Sequence, residues 1–318
     1  MGQLPFQEIK REILVKREST SDYGTTPEER STETLINYGV INIDKPSGPT
    51  SHQISDYVKK ILNLSKAGHS GTLDPKVTGV LPVAIERATR IVQALLPAGK
   101  EYVALMYLHK PIEEERLKKA LKDYTGKILQ KPPVKSSVRR IERVREVYYI
   151  DILGIEEQYV LFKIGVQAGT YIRKYIHDFG RKIGMGAHMA ELRRTKVACF
   201  DESTLFTLQD LTDAWHYYKN EKNDRFIRKI IQPIENAVKH LPKIYVLDST
   251  IKSLSHGRDL AVPGISKLNS GIQKDEIVAV MTLKEELIAL GTSKMSSEEI
   301  MGLNNGIAVK TERVFIQS

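Results

Sequence analysis

The chain has 318 residues, 41% of them hydrophobic and 27% charged, enough for about two ordinary globular domains. Its 48 Lys and Arg against 39 Asp and Glu leave a net charge of +9, which favours a polyanionic partner, nucleic acid first. One cysteine, Cys199, excludes an intrachain disulfide framework and a cysteine-rich zinc site, and no apolar run is long enough for a transmembrane helix.

Residues 1–35 are polar and charged and read as a tail in which Ile13, Leu14 and Val15 can pair as a short strand. The first residues lack the continuous apolar core of a signal peptide, so a cytoplasmic protein is expected. Val40–Ile43 is a strand candidate, stopped by the turn-forming run Asp44-Lys45-Pro46-Ser47-Gly48-Pro49. Thr50 or Ser51 then caps a helix with Ile54, Val58, Ile61 and Leu62 on one face. A second amphipathic helix is expected over 86–96, ended by Pro97-Ala98-Gly99. Tyr102–Leu108 reads as a strand and 113–124 as a helix carrying Leu117, Leu121 and Tyr124. Val147–Ile155 and Tyr159–Val166 read as strands, and a helix starting near Thr170 aligns Ile172, Ile176, Phe179 and Ile183. The stretch 201–240 is charged and helical. From about Leu241, short strands punctuated by Gly257, Gly264, Gly271 and Gly291 predict a small β-rich module. Helices and strands mix without regular βαβ alternation, so an α+β fold is expected.

Several chemistries drop out on motif grounds. Asp178-Phe179-Gly180 lacks the other kinase elements, no P-loop pattern occurs, and the eight histidines show no His-x-x-x-His spacing, so no metal is expected. The dense region is Gly68-His69-Ser70-Gly71-Thr72-Leu73-Asp74-Pro75, continuing to Pro82. Glycine and proline fix the backbone path there, while His69, Thr72 and Asp74 project polar groups. The plain alternative is a loop in which Asp74 makes a turn before Pro75. A rigid loop presenting one carboxylate is also what covalent or acid–base work requires.

HSGTLDPKVTGVLPV resembles the catalytic-aspartate motif of the TruB-type pseudouridine synthases. The preceding family motif is similar to Asp44–His52, the tyrosine segment to Lys100-Glu101-Tyr102, and the arginine segment to Gly169–Arg173. Leu192, in AELRRT, fits a further active-site position. The region from Leu241 resembles a PUA domain of the archaeal dyskerin-like subgroup, the catalytic subunits of box H/ACA ribonucleoproteins. The resemblance implies a pseudouridine synthase domain with a mixed or antiparallel sheet and flanking helices, plus a small β-rich PUA domain. The expected division is an N-terminal extension at 1–35 packing on the PUA domain, a catalytic domain at 36–241 and the PUA domain at 242–318.

The implied activity is isomerisation of an RNA uridine to pseudouridine, with no cofactor. Asp74 would be the essential residue, by covalent adduct or by action on the ribose. Arg173 would pair with it, since a nearby cation favours the ionised carboxylate. Tyr102 would stack on the extruded uracil near C5, Leu192 would wall the base, and His69 would help hold the flipped-out state. Thr72 and Tyr171 join the implied substrate-binding set, with Lys45 and Pro46 supporting the loop. Lys135, Arg139, Arg140, Arg143 and Arg145 read as a basic loop against the RNA backbone, and His256, Gly257 and Arg258 as the PUA contact with the guide's ACA end. The implied partners are an H/ACA guide RNA and substrate rRNA or tRNA. The protein partners are a small zinc-ribbon protein, a small β-barrel protein and, through the guide, a kink-turn-binding ribosomal-protein homologue. A guide-independent tRNA enzyme and a non-catalytic RNA-binding scaffold are the competing readings.

Overall fold

The computed structural model describes residues 2–132 and 139–316. Among these, ten strands form one mixed sheet and seven form a second. Across the first sheet the order is Ile231–Pro233, Gly39–Lys45, Thr78–Ile85, Ala187–Val197, Lys100–Leu108, Tyr159–Val166, Arg143–Glu156 and Gly126–Gln130. Its neighbours pair antiparallel except Thr78–Ile85 with Ala187–Val197, which run parallel at Thr78–Arg193 and Gly79–Arg194. The expected α+β architecture is present.

Thr50 is the N-cap of helix Ser51–Ile61, its hydroxyl accepting from Gln53 N while the Gln53 side chain returns to Thr50 N. That helix buries Ile54 and Val58 on the sheet beside Ile41 and Leu81. Helix Ile172–Lys182 packs Ile172, Ile176 and Phe179 against Ala104, Met106 and Phe162, each side chain adding roughly 1.5–3 kcal/mol where fully buried.

Four sequence expectations need correction. The first strand runs on through Asp44 and Lys45, so the turn starts at Pro46. The segment at 86–96 is a 3₁₀ turn, Glu86–Ile91, followed by one α-turn, Val92–Leu95. Thr78–Ile85 is a buried strand although it holds Gly79 and Pro82. Pro82 sits where its strand passes from one partner, at 78–79, to another, Ala67–His69 at 83–85, so its missing N–H disrupts no ladder. Arg143 and Arg145 belong to strand Arg143–Glu156, paired with Gln130 and Ile128, whereas Arg139 and Arg140 lie outside any strand; Lys135 falls outside the described residues.

The second sheet takes in Ile13–Val15, which pairs antiparallel with Ile265–Asn269. The two sheets share a core. Val40, Val80, Ala84 and Val197 of the first cluster with Ala279, Met281, Leu290 and Phe315 of the second. Arg30 ties the junction, bidentate to Glu235 at 2.8 and 2.9 Å and reaching Glu286 at 3.3 Å.

His240 lies at this junction, with Nε2 3.1 Å from Ala94 O. Burial pushes it down to about 4. The unfolded chain therefore takes up a proton near pH 6.5 that the folded chain resists until about pH 4, so stability is complete above 6.5 and drains as pH falls between those values. His240→Gln keeps an N–H for Ala94 but cannot titrate. Urea unfolding from pH 7 to pH 4 is expected to show wild type losing roughly 3 kcal/mol more than the variant. Parallel profiles would refute the assignment.

Candidate active site

Asp74 stands at the tip of a loop held from beneath. Its neighbours Leu73 and Val77 are buried at 4% and 3% exposure and anchor the loop on either side. Ser51, at the start of its helix, accepts from Leu73 N at 2.8 Å. Lys45 is fully buried, and its ammonium donates to Pro46 O, Pro75 O and Val77 O at 2.9, 2.9 and 2.8 Å. Three converging carbonyls match the three N–H bonds of an ammonium. The expected support role of Lys45 thus has a geometry, with Pro46 supplying one of the three carbonyls. Burial lowers the Lys45 pKa, and the nearby Asp74 charge acts in the opposite direction.

The Asp74 carboxylate is exposed. It pairs with Arg173 Nη2 at 2.5 Å, Arg173 lying in the first turn of helix Ile172–Lys182. Residues 99 apart in sequence meet here. Tyr171 is the N-cap of that helix, and its N–H donates to Gln130 Oε1 at 3.0 Å.

Tyr102 and Leu192 are half-buried against one apolar cluster. Ala104 lies directly across from Leu192, and Tyr102 across from Arg194, so all four side chains share a face of the sheet. His69 Nδ1 accepts from Gly71 N at 3.3 Å, and its ring meets His52 edge-on at 6.2 Å. Burial, with His52 and Arg194 nearby, lowers the pKa of His69. Thr72 is exposed on the same loop.

Sequence reasoning left several residues of this region unassigned. Arg194 is buried and donates from Nε to Val80 O at 2.8 Å and from Nη2 to Gly71 O at 3.2 Å. Arg193 forks onto Asp44 at 3.0 and 3.1 Å and onto Glu202 at 2.6 Å. Lys100 donates to Leu95 O, Leu96 O and Ala98 O, and burial pushes it down to about 7. Glu101 accepts from Tyr149 at 2.5 Å and Thr195 at 2.8 Å. The adjacent cations in AELRRT were the available signal, because paired arginines on a sheet strand need partners on both faces. Gly79 answers to the same strand: its φ is +101°, and a Cβ there would lie 2.2 Å from Arg194 O.

Two surface hollows hold the remaining candidates. Arg143, Arg145, Gln130, Gly169 and Tyr171 line a cavity of about 100 Å³ at the root of the hairpin. His256 and Gly257 line an open cleft of about 550 Å³ with Arg313 and, from the other module, Arg90. Arg258 is exposed beside it, its carbonyl accepting from Thr311 Oγ1 at 2.9 Å. Among the described residues, no group of three or more His, Cys, Asp or Glu could hold a metal.

The chain matches four family models: the DKCLD domain at 3–55, the TruB family pseudouridylate synthase N-terminal domain at 59–113, the tRNA pseudouridylate synthase B C-terminal domain at 173–239, and the PUA domain at 242–315. It is 56% identical over 313 residues to a probable tRNA pseudouridine synthase B of Pyrococcus abyssi, covering 97% of this chain and 94% of that one. The chain belongs to the TruB family of pseudouridylate synthases. A TruB relative in Methanopyrus kandleri, likewise described as a probable tRNA pseudouridine synthase B, is 50% identical across 99% of this chain and 93% of its own. A chain in a crystal structure of a Cbf5–Nop10–Gar1 complex is 54% identical, with a TM-score of 0.95 over 99% of this chain and 97% of that one. A chain in an H/ACA ribonucleoprotein bound to a substrate RNA containing 2′-deoxyuridine is 52% identical, with a TM-score of 0.93 over the same shares. As a TruB synthase, the chain is an RNA isomerase.

Proposed function

We propose that this protein is the catalytic subunit of a box H/ACA ribonucleoprotein and converts guide-selected uridines, in ribosomal RNA, to pseudouridine. The observation carrying the reading is the meeting of Asp74 and Arg173 at an exposed surface, on a chain that superimposes along 99% of its length on one solved in a substrate-bound H/ACA particle. The reaction breaks the N1–C1′ bond, turns the base and joins C5 to C1′; the proton leaving C5 is balanced by one gained at N1. Asp74 is exposed enough to reach a flipped-out nucleotide. Arg173 sets the direction of its carboxylate. Tyr102 and Leu192 offer the base a ring and an aliphatic wall on one sheet face, while His69, Thr72 and Tyr171 bound the mouth around it. The partners expected from the resemblance (zinc-ribbon protein, β-barrel protein and kink-turn binder) belong to this proposal; the presence of Nop10 and Gar1 with a similar chain supports small protein partners.

Arg139, Arg140, Arg143 and Arg145 grip the RNA backbone, and the His256-Gly257-Arg258 corner takes the unpaired guide end. Arg143→Gln and Arg145→Gln are each expected to flatten the log–log salt dependence of substrate-RNA binding by about 0.7, the value for one single-stranded phosphate contact. An unchanged slope in both variants would remove them from the backbone contact. The names of the curated relatives favour a second activity on transfer RNA without a guide. Tritium release from uridine labelled at C5, with and without guide and accessory proteins, separates the two. Release only with guide supports the particle subunit; release from bare transfer RNA supports the free-standing activity.

A further inference from the structure

We infer that Arg194 is a positioning residue for the isomerisation, one buried guanidinium that holds the Asp74 loop and Tyr102 in a fixed relation. Three observations meet on this side chain. Nη2 reaches Gly71 O, three residues before Asp74, and Nε reaches Val80 O, where the loop has rejoined the sheet. Across the antiparallel pair, Arg194 is the register partner of Tyr102, which puts the two side chains side by side on one face of the sheet. Arg194 is 1% exposed, and among the described residues no carboxylate pairs with it.

A buried arginine held only by backbone carbonyls and a tyrosine is a costly arrangement. A side chain placed merely to fill the core would do so more cheaply as methionine or leucine. What an arginine adds is its flat, divergent fork, with donors aimed at fixed angles. Tyr102 stands across the strand pair from this fork, on the same face of the sheet. The fork then couples two groups that the sequence places 28 residues apart, counted from Asp74 to Tyr102. Lys45 and Lys100 serve neighbouring carbonyls in the same way, but neither links the loop to the tyrosine strand.

The inference rests on the synthase reading, which wild-type turnover in the same assay tests separately. Arg194→Lys keeps the charge and loses the fork; Arg194→Gln keeps a planar donor and loses the charge. Both would be assembled with guide RNA and accessory proteins, checked by thermal melting and guide binding, and assayed by tritium release alone and combined with Tyr102→Phe. The expected result is a fall in kcat of about 10- to 100-fold with KM changed less than about twofold, the signature of misplacement rather than lost binding. In the Tyr102→Phe background the further fall should be smaller but persist, because Arg194 still holds the Asp74 loop through Gly71 O and Val80 O. Arg194→Lys is the variant that secures the fold. If it melts and binds guide like wild type yet turns over like wild type, the inference is wrong. Fully multiplicative losses with Tyr102→Phe would also overturn it, since they would show that Arg194 does not couple the loop to the tyrosine.

Discussion

Asp74→Asn is expected to abolish tritium release, a loss on the order of 10⁴-fold or more, while leaving the fold and guide binding in place. Asparagine keeps the size and one carbonyl oxygen and removes only the ionisable group. The thermal midpoint should move by less than about 4 °C. Both partners of the Asp74–Arg173 pair are more than half exposed, and exposed pairs contribute about 0–1 kcal/mol. Binding of substrate RNA should hold or tighten slightly, since a negative charge has left a surface meant for phosphates. Activity within tenfold of wild type would eliminate Asp74 from the chemistry. Total loss of guide binding would instead mark a folding defect that this exposed position gives no reason to expect.

Lys45→Met should damage both stability and turnover. Methionine fills about the same space, so the change removes the ammonium and leaves the Pro46, Pro75 and Val77 carbonyls without their donor. Part of the cost is regained because no charge need be desolvated, and the net loss is about 3 kcal/mol. For a chain of this size that is roughly 6–12 °C in the thermal midpoint. Turnover should fall by about 10²-fold, because Pro75 and Val77 lie one and three residues after Asp74 and their backbone sets where its carboxylate stands. Differential scanning calorimetry and single-turnover tritium release check the two halves independently. A variant that melts and turns over as wild type would show that the loop holds its shape through Leu73, Val77 and Ser51 alone.

The legibility of this molecule in its sequence divides along physical lines. The motifs around Asp74, Tyr102 and Arg173 were readable through their resemblance to the TruB-type motifs, since composition alone left an ordinary loop as the plain alternative. Helices Ser51–Ile61 and Ile172–Lys182 were readable because their apolar faces repeat and, in the first, Thr50 supplies a cap. Thr78–Ile85 was hidden by Gly79 and Pro82, residues that normally mark turns; only the change of strand partner along its edge makes proline harmless there. Ala187–Val197 was hidden because Glu191, Arg193, Arg194 and Lys196 break the expected apolar alternation, the three cations being met by groups remote in sequence. The same blindness affects Lys45, Lys100 and Arg194. A lysine or arginine reads as surface until the carbonyls that surround it are known, and for Lys45 and Arg194 most of those come from segments far along the chain. Arg143 and Arg145 failed in the opposite direction: a basic run suggested a loop, whereas hairpin pairing carries it into the sheet.

The apolar contact between the two modules also limits what recombination can do with this chain. Val80, directly behind the aspartate loop, and Val197, just beyond Arg194, belong to the same packed cluster as Met281, Leu290 and Phe315. A chimera that exchanged everything after Leu241 for the matching part of a distant relative would have to reproduce both halves of that contact, side chain for side chain. Otherwise it would open voids costing about 24 cal/mol per Å³ directly beneath the strands that carry the reacting groups. The C-terminal module is therefore less an attachable cassette than a second wall of the catalytic core.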